Sequence, residues 1–187
     1  TGHHVVLCDI SEKMLERAEA ECRKRQIVDR VSIVHSAIQD LGKMHDKAYD
    51  LILCHAVLEW LSDPVQTLNR LPGFLKKGGL ISLTFYNLNG TVFKNLLRTN
   101  YRKVIREEYA GWPGSLTPPN PLEPPQVISW LEDAGIEVIC HSGIRVFHDY
   151  ILDLTDKERQ PETVLELESK FSRQIPFRDM GRYQHII

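Results

Sequence analysis

The sequence predicts an α/β fold built on a mostly parallel sheet. Short apolar runs that suit buried strands alternate with stretches whose apolar residues recur at helical spacing. Each early run also ends on a polar residue and is followed by a turn or helix-start signal, the rhythm of strand–helix units with helices on both faces of the sheet. Composition agrees: of 187 residues, 42% are apolar and 26% charged, enough core-forming material for a single domain and too much for wholesale disorder. Lys plus Arg number 23 and Asp plus Glu 25, so the net charge of −2 excludes a globally basic nucleic-acid coat but not a local basic patch.

The elements follow in order. His4 to Cys8 is an apolar run ending at Asp9, a buried strand. Ser11 supplies an N-cap, and Met14, Leu15, Ala18 and Cys22 fall on one helical face, so 11–26 reads as an amphipathic helix. Val31 to His35 is a second strand, and Tyr49 to His55 a third that looks buried on both faces. Asp63-Pro64 opens a helix with a cap and a proline at its first position, and Pro72 kinks or ends it. Lys77-Gly78-Gly79 reads as a turn before a strand at 80–86. Residues 91–110 look helical and lead into a stiff loop from Trp112 through Pro125, so 91–125 reads as a helical and proline-rich insertion, which the family resemblance given below places on the substrate side. A helix at 126–134 closed by Gly135, a strand at 136–140 that 143–148 extends, a helix at 161–173 and a final strand at 182–187 complete the chain.

Chemistry concentrates at the strand ends. In open α/β sheets, ligands bind beyond the carboxyl ends of the strands. Asp9 stands there, and a carboxylate in that place accepts both hydroxyls of a ribose; helix capping is the plainer alternative. Ile38 offers an apolar wall for an adenine ring, and Gln39 with Asp40 offers its polar edge. His55, opening the run His-Ala-Val-Leu-Glu-Trp, stands on the rim after the third strand. Asp9 and His55 are expected to border one nucleoside-sized crevice. The histidines at 3, 4, 35, 45, 141 and 185 show no metal-ligand spacing, so no metal is expected. Cys8, Cys22, Cys54 and Cys140 form no C-x-x-C and read as reduced thiols, Cys8 and Cys54 as small buried hydrophobes. No apolar run approaches the roughly 18 residues of a membrane span. With no leader pattern at the start of the sequence, a cytoplasmic protein is expected.

On these residues the sequence resembles the class I S-adenosylmethionine-dependent methyltransferases. More narrowly, it resembles the bacterial tRNA carboxymethoxyuridine methyltransferases. The stretches that carry this are Leu7-Cys8-Asp9, Asp50 to Leu53, His55 to Trp60, Phe85-Tyr86-Asn87, Thr117-Pro118, Arg145 to Tyr150 and Gly181-Arg182-Tyr183. The resemblance implies a Rossmann-like fold and methyl transfer to the carboxylate of a modified wobble uridine. It assigns Asp9 to the ribose of S-adenosylmethionine, Ile38 and Gln39 to its adenine, and His55 to its methionine end. The family's first strand and Gly-rich loop have no counterpart here. A strand–loop–helix of roughly 20 residues or more is therefore expected to precede this sequence in a longer chain. Without it, the 187 residues are expected neither to fold well nor to bind the methyl donor.

A carboxylate is already ionised at pH 7, so its methylation needs positioning rather than a general base. Arg145 is the candidate grip, with Tyr150, Tyr86 and His148 as neutral hydrogen-bonding partners; the alternative for Arg145 is an ion pair with Asp149 or Glu137. Lys94, Arg98, Arg102, Lys103 and Arg106 form a basic run suited to the phosphates of a tRNA anticodon loop, with Tyr101, Tyr109 and Trp112 as stacking faces. A solvated helix face is the alternative. Three rival functions stand beside this one: a methyltransferase for a small molecule such as a quinone or fatty acid, an NAD-binding Rossmann oxidoreductase, and a tRNA-binding module without catalysis.

Overall fold

The computed structural model describes residues 2–40, 48–111, 114–153, 155 and 158–187. The chain divides into two compact units, Thr1–Lys47 and Ala48–Ile187.

The first unit is a strand–helix–strand. β1 (Val5–Asp9) pairs in parallel with β2 (Val31–His35), Asp9 standing opposite His35, and α1 (Glu12–Lys24) connects them. The helix starts where the sequence places its cap: the Ser11 Oγ accepts from the Met14 N–H at 3.4 Å, and Glu12 in the first turn favours the positive helix end. Leu15 is buried, and the outer face carries the i,i+4 pairs Glu19–Arg23 and Glu21–Arg25.

The second unit holds a four-stranded sheet in the order β3 (Tyr49–His55), β4 (Leu75–Tyr86), β6 (Tyr183–Ile186), β5 (His141–Ile144). β3 and β4 run parallel, whereas β6 is antiparallel to both β4 and β5. The sheet is thus mixed, because β6 runs antiparallel to both of its neighbours, with a long helical connection between β5 and β6. β3 is not buried on both faces: it is an edge strand of its sheet, and Leu51 and Leu53 are 51% and 64% exposed. Cys54 and Leu58 beside them are buried, as are Leu83, Phe85, Val127, Leu131 and Ile186, which form the core.

Lys77-Gly78-Gly79 lies inside β4 as an irregularity and not before it. From Leu75 to Leu80, β4 advances five positions while β3 advances two, from Tyr49 to Leu51, and Gly78 takes the positive φ of 78° that this bulge requires. α2 (Pro64–Arg70) starts at Asp63, whose carboxylate accepts from the Gln66 N–H at 2.9 Å, and it tightens into a 3₁₀ turn at Pro72. The helix expected over 91–110 is two helices, α3 (Leu88–Leu97) and α4 (Tyr101–Ile105), broken where Thr99 takes a φ of 59°. After α5 (Pro124–Asp133), closed as expected by Gly135 at φ 72°, residues 136–140 form no strand, and β5 begins at His141. α6 (Pro161–Phe171) and the short α7 (Phe177–Met180) precede β6.

Buried polar side chains bind the C-terminal half to α3. The Asn87 amide donates to the carbonyls of Asp179 and Gly181 at 2.9 and 2.7 Å, and its oxygen accepts from the Asn89 N–H at the start of α3. Gln184, also buried, donates to the Arg178 carbonyl and meets His141 Nε2 at 2.7 Å. At Gly90 a Cβ would lie 2.9 Å from the Gly181 carbonyl oxygen and 3.0 Å from the Tyr150 hydroxyl, so this approach of α3 to the segment before β6 admits only glycine. Among the described residues, no helix is long and apolar enough to cross a membrane, and no three His, Cys, Asp or Glu side chains stand where they could hold a metal ion.

Candidate active site

In the first unit, the residues expected to hold a nucleoside lie at one end of the strand pair. Asp9 closes β1, half-buried, and its Oδ1 accepts from the Ser11 N–H at 2.7 Å; the carboxylate therefore helps cap α1, as the plainer alternative anticipated. A carboxylate has two oxygens and about four acceptor positions, so this bond does not exhaust it. The Ser36 N–H donates to the Asp9 carbonyl at 3.1 Å and leads the chain from β2 into the 3₁₀ turn Ile38–Asp40, on which Ile38 and Gln39 are half-buried. One carboxylate, one apolar side chain and one amide at this end are the chemical types that a ribose and an adenine ring require.

In the second unit, His55 ends β3. Its Nε2 lies 2.8 Å from the Ser82 Oγ, which lies 2.9 Å from the Nε2 of His185. A hydroxyl has one proton to donate, so it can donate to only one of the two rings, and at least one ring presents an N–H to it. Burial, and then the charges at His55 and Arg173, push His185 below the ordinary imidazole range, so it is neutral at pH 7. Ala56 follows at a φ of 53°, its N–H donating to the Thr84 carbonyl at 2.9 Å. That strained residue turns the chain sharply away at the end of β3.

The densest charge cluster surrounds Asp149, whose side chain is 3% exposed. The Arg182 Nη1 donates to its Oδ2 at 2.7 Å, and the Lys94 Nζ reaches the same oxygen at 3.4 Å. Arg145 Nη1 and His148 Nδ1 each lie 3.6 Å from Oδ1. Burial pushes the Asp149 carboxyl up, but Arg182, Lys94 and Arg145 outweigh it and hold the group below its ordinary range. Three cations share this one carboxylate, so these four side chains carry a formal charge of +2. Aromatic rings wall the cluster: Tyr86 and Tyr183 meet edge to face at 5.4 Å, and the Arg182 guanidinium carbon is 5.6 Å from each ring centre.

The structure therefore brings Arg145, His148, Tyr150, Tyr86 and Lys94 together in one neighbourhood, and each is positioned differently. Arg145 is half exposed and sits at a φ of 57°, unusual for a bulky residue. The next three backbone N–H groups, of Val146, Phe147 and His148, converge on the Glu168 carboxylate of α6 at 2.7, 3.1 and 2.8 Å. Such a nest of amides stabilises the carboxylate and holds the Arg145 turn in place. The Tyr150 hydroxyl donates to the Met180 carbonyl, and burial, with Asp149 nearby, raises its pKa above the ordinary phenol range. Its proton thus serves the backbone. Glu59, fully buried on the turn after β3, accepts from the Tyr86 N–H at 3.1 Å through Oε1, while Oε2 has no hydrogen-bond partner. Burial pushes its carboxyl up to about 7, against the lowering effect of its own and the Tyr86 backbone N–H.

Of the basic run, Lys94 turns inward to Asp149 and is separated by this from the others. Arg98, Arg102, Lys103 and Arg106 are exposed, with Arg106 3.9 Å from Glu108. Tyr101 is exposed, and Tyr109 is half-buried; Trp112 and His45 lie outside the described residues.

Comparison with known proteins decides the family. A model described as a methyltransferase domain matches residues 1–83. Over 99% of its length the chain is 39% identical to the tRNA 5-carboxymethoxyuridine methyltransferase of Escherichia coli strain K12, and it spans 71% of that protein. The chain belongs to the class I S-adenosylmethionine-dependent methyltransferase family. The methyl donor of this family is S-adenosylmethionine. Solved structures agree on the fold. PKMT2 from Rickettsia typhi matches 98% of this chain with a TM-score of 0.63 at 15% identity, this chain covering 43% of it. The [4+2]-cyclase SpnF matches 100% of the chain with a TM-score of 0.61 at 16% identity, and the chain spans 66% of it. That a cyclase shares the fold leaves the chemistry to the side chains.

Arg182, Glu59 and Glu168 join this neighbourhood although the sequence reading gave them no role, and Asp149, read there only as an alternative ion-pair partner of Arg145, lies at its centre with Arg145 at 3.6 Å. Arg182, Glu59 and Asp149 stood inside the family stretches Gly181-Arg182-Tyr183, His55 to Trp60 and Arg145 to Tyr150, and that was the available signal. Nothing in the spacing of Glu168 or Glu59 distinguishes them from solvated acids.

Proposed function

We propose that this chain carries the methyl-transfer machinery of an enzyme that esterifies the carboxylate of 5-carboxymethoxyuridine at the tRNA wobble position, in the cytoplasm. The observation that carries the reading is the cluster at Asp149. Its three cations outnumber its one acid, and that excess suits an anionic acceptor and disfavours a neutral quinone. The 39% identity to a tRNA 5-carboxymethoxyuridine methyltransferase supports the same substrate.

When bound, S-adenosylmethionine supplies a methyl on a sulfonium: the carboxylate oxygen forms a C–O bond as the C–S bond breaks, the electron pair staying on sulfur and no proton moving. By the family resemblance, Asp9 takes the ribose, Ile38 and Gln39 the adenine, and His55 the methionine end. Around Asp149 the residues orient the acceptor. Arg145, half exposed, faces the incoming carboxylate; His148 and Tyr86 border it; Tyr150 acts as a wall packed edge to face on Phe93 at 5.1 Å. Arg98, Arg102, Lys103 and Arg106 meet tRNA phosphates, and 91–125 is the substrate-side segment of a single Rossmann-like domain with helices on both sheet faces. The test is transfer of labelled methyl by the protein to tRNA that bears the carboxymethoxy group. Base-labile label, as a methyl ester requires, is the expected result; label resistant to mild base, or found only on small molecules, overturns the reading.

A further inference from the structure

We infer that Arg182, more than Arg145, is the seat of the acceptor carboxylate; this deepens the function proposed above and rests on it. The guanidinium carries five N–H donors in a rigid fork. Nη1 is committed to Asp149 at 2.7 Å, which holds one edge of the head fixed. The Nε–H on the other edge is buried and has no hydrogen-bond partner. A buried donor without an acceptor is costly, and it calls for a ligand group that would complete it. Nε together with Nη2 forms the side-on pair that matches two carboxylate oxygens.

The surroundings favour that ligand. The rings of Tyr86 and Tyr183 flank the guanidinium with centres 5.6 Å away, holding its plane. The side chain is 29% exposed, so it remains open to solvent on one side. Nε is closed to water as it stands, so a carboxylate oxygen reaches it only when a neighbouring group moves aside, and it then meets a donor that holds no water. The Arg182 N–H also donates to the Arg145 carbonyl at 3.2 Å, tying the two arginines into one neighbourhood. Arg145, at 51% exposure and 3.6 Å from Asp149, lacks both the fixed edge and the shielded donor. The neutral ester product carries no charge for the fork, which assists its release.

The test compares the affinities of the protein for an anticodon stem-loop bearing 5-carboxymethoxyuridine and for one bearing 5-methoxyuridine. Taking the ratio within each protein cancels any general loss of fold. The wild type is expected to prefer the carboxylate by about a hundredfold, as sites built to pair a polar group do. In Arg182→Lys and Arg182→Gln the ratio falls below about three, while Arg145→Lys retains at least about tenfold. A wild-type ratio near one overturns the parent function as well. A wild-type preference that survives in Arg182→Lys, or that Arg145→Lys abolishes instead, overturns this inference alone. Failure of both Arg182 variants to fold makes the guanidinium structural and overturns it too.

Discussion

Replacing Asp149 by Asn keeps the shape of the side chain and removes the one negative charge that three cations share. Asp149 is 3% exposed, with Arg182 at 2.7 Å and Lys94 at 3.4 Å from one oxygen. Taking away one partner of such a buried charge set costs about 3–5 kcal/mol, because the remaining charges are left desolvated. Arg145 is 51% exposed and adds little to that sum. With a urea slope of about 2 kcal/mol per M, the unfolding midpoint falls by roughly 1.5–2.5 M. Tryptophan fluorescence reads this cleanly, since Trp60, Trp112 and Trp130 all belong to the second unit. The double variant Asp149→Asn/Lys94→Met, which removes one of the stranded cations, recovers part of the loss. The carboxyl is depressed in the folded state, so the contribution is present above its unfolded value of about 4 and disappears as pH falls through the folded one. A midpoint shift under about 0.5 M, worth about 1 kcal/mol at that slope, would refute the burial and pairing described.

Four further outcomes follow from other residues. Glu59 is raised to about 7 in the fold, so its protonated form supports stability fully below the unfolded value of about 4.5, and this support is lost as pH rises through 7. Urea midpoints taken between pH 5 and 8 should therefore fall in the wild type by more than in Glu59→Gln; equal slopes contradict the buried carboxyl. Glu168→Ala removes the acceptor of three backbone N–H groups and is expected to cost about 2–4 kcal/mol, with faster hydrogen exchange at Val146, Phe147 and His148. Exchange unchanged at those three amides rules out the nest. Measured in a protein that also carries the family's Gly-rich loop, Asp9→Ala should weaken S-adenosylmethionine binding by about tenfold to a hundredfold in calorimetry, and a change under about twofold removes Asp9 from the ribose. Charge reversal at Arg102 and Lys103 should flatten the salt dependence of tRNA binding, whereas Lys94→Met should lower stability and leave that slope nearly intact; an unchanged slope in the first variant returns α4 to a solvated face.

Local signals gave the first half of the fold and part of the second. β2 and β3 begin and end at the residues their apolar runs mark, and Asp63-Pro64 starts α2 as a cap followed by a proline should. These are features that neighbouring residues decide. β4 begins five residues earlier than its apolar run, because pairing with β3 continues past a glycine bulge that by itself looks like a turn. Residues 136–140 have strand composition, yet ladder pairing to β6 starts only at His141. The exposure of Leu51 and Leu53 was equally hidden, since an apolar run does not say how many neighbours a strand has.

The candidate site divides the same way. Arg145, His148 and Tyr150 lie within six residues of one another, and a short stretch carried them. Arg182 and Lys94 reach Asp149 from positions 33 and 55 residues away, a convergence produced by the fold and invisible to spacing. Tyr150 looked like a hydrogen-bond donor to substrate, and only the nearby Met180 carbonyl shows where its proton is spent.

The most direct measurement is a methylation time course on two tRNAs that differ only at the wobble uridine, one carrying the carboxymethoxy group and one a methoxy group. Label is expected on the first alone, released by mild base as methanol. Equal labelling of the two, or label that survives base, would mean that the positive cluster around Asp149 does not receive a carboxylate.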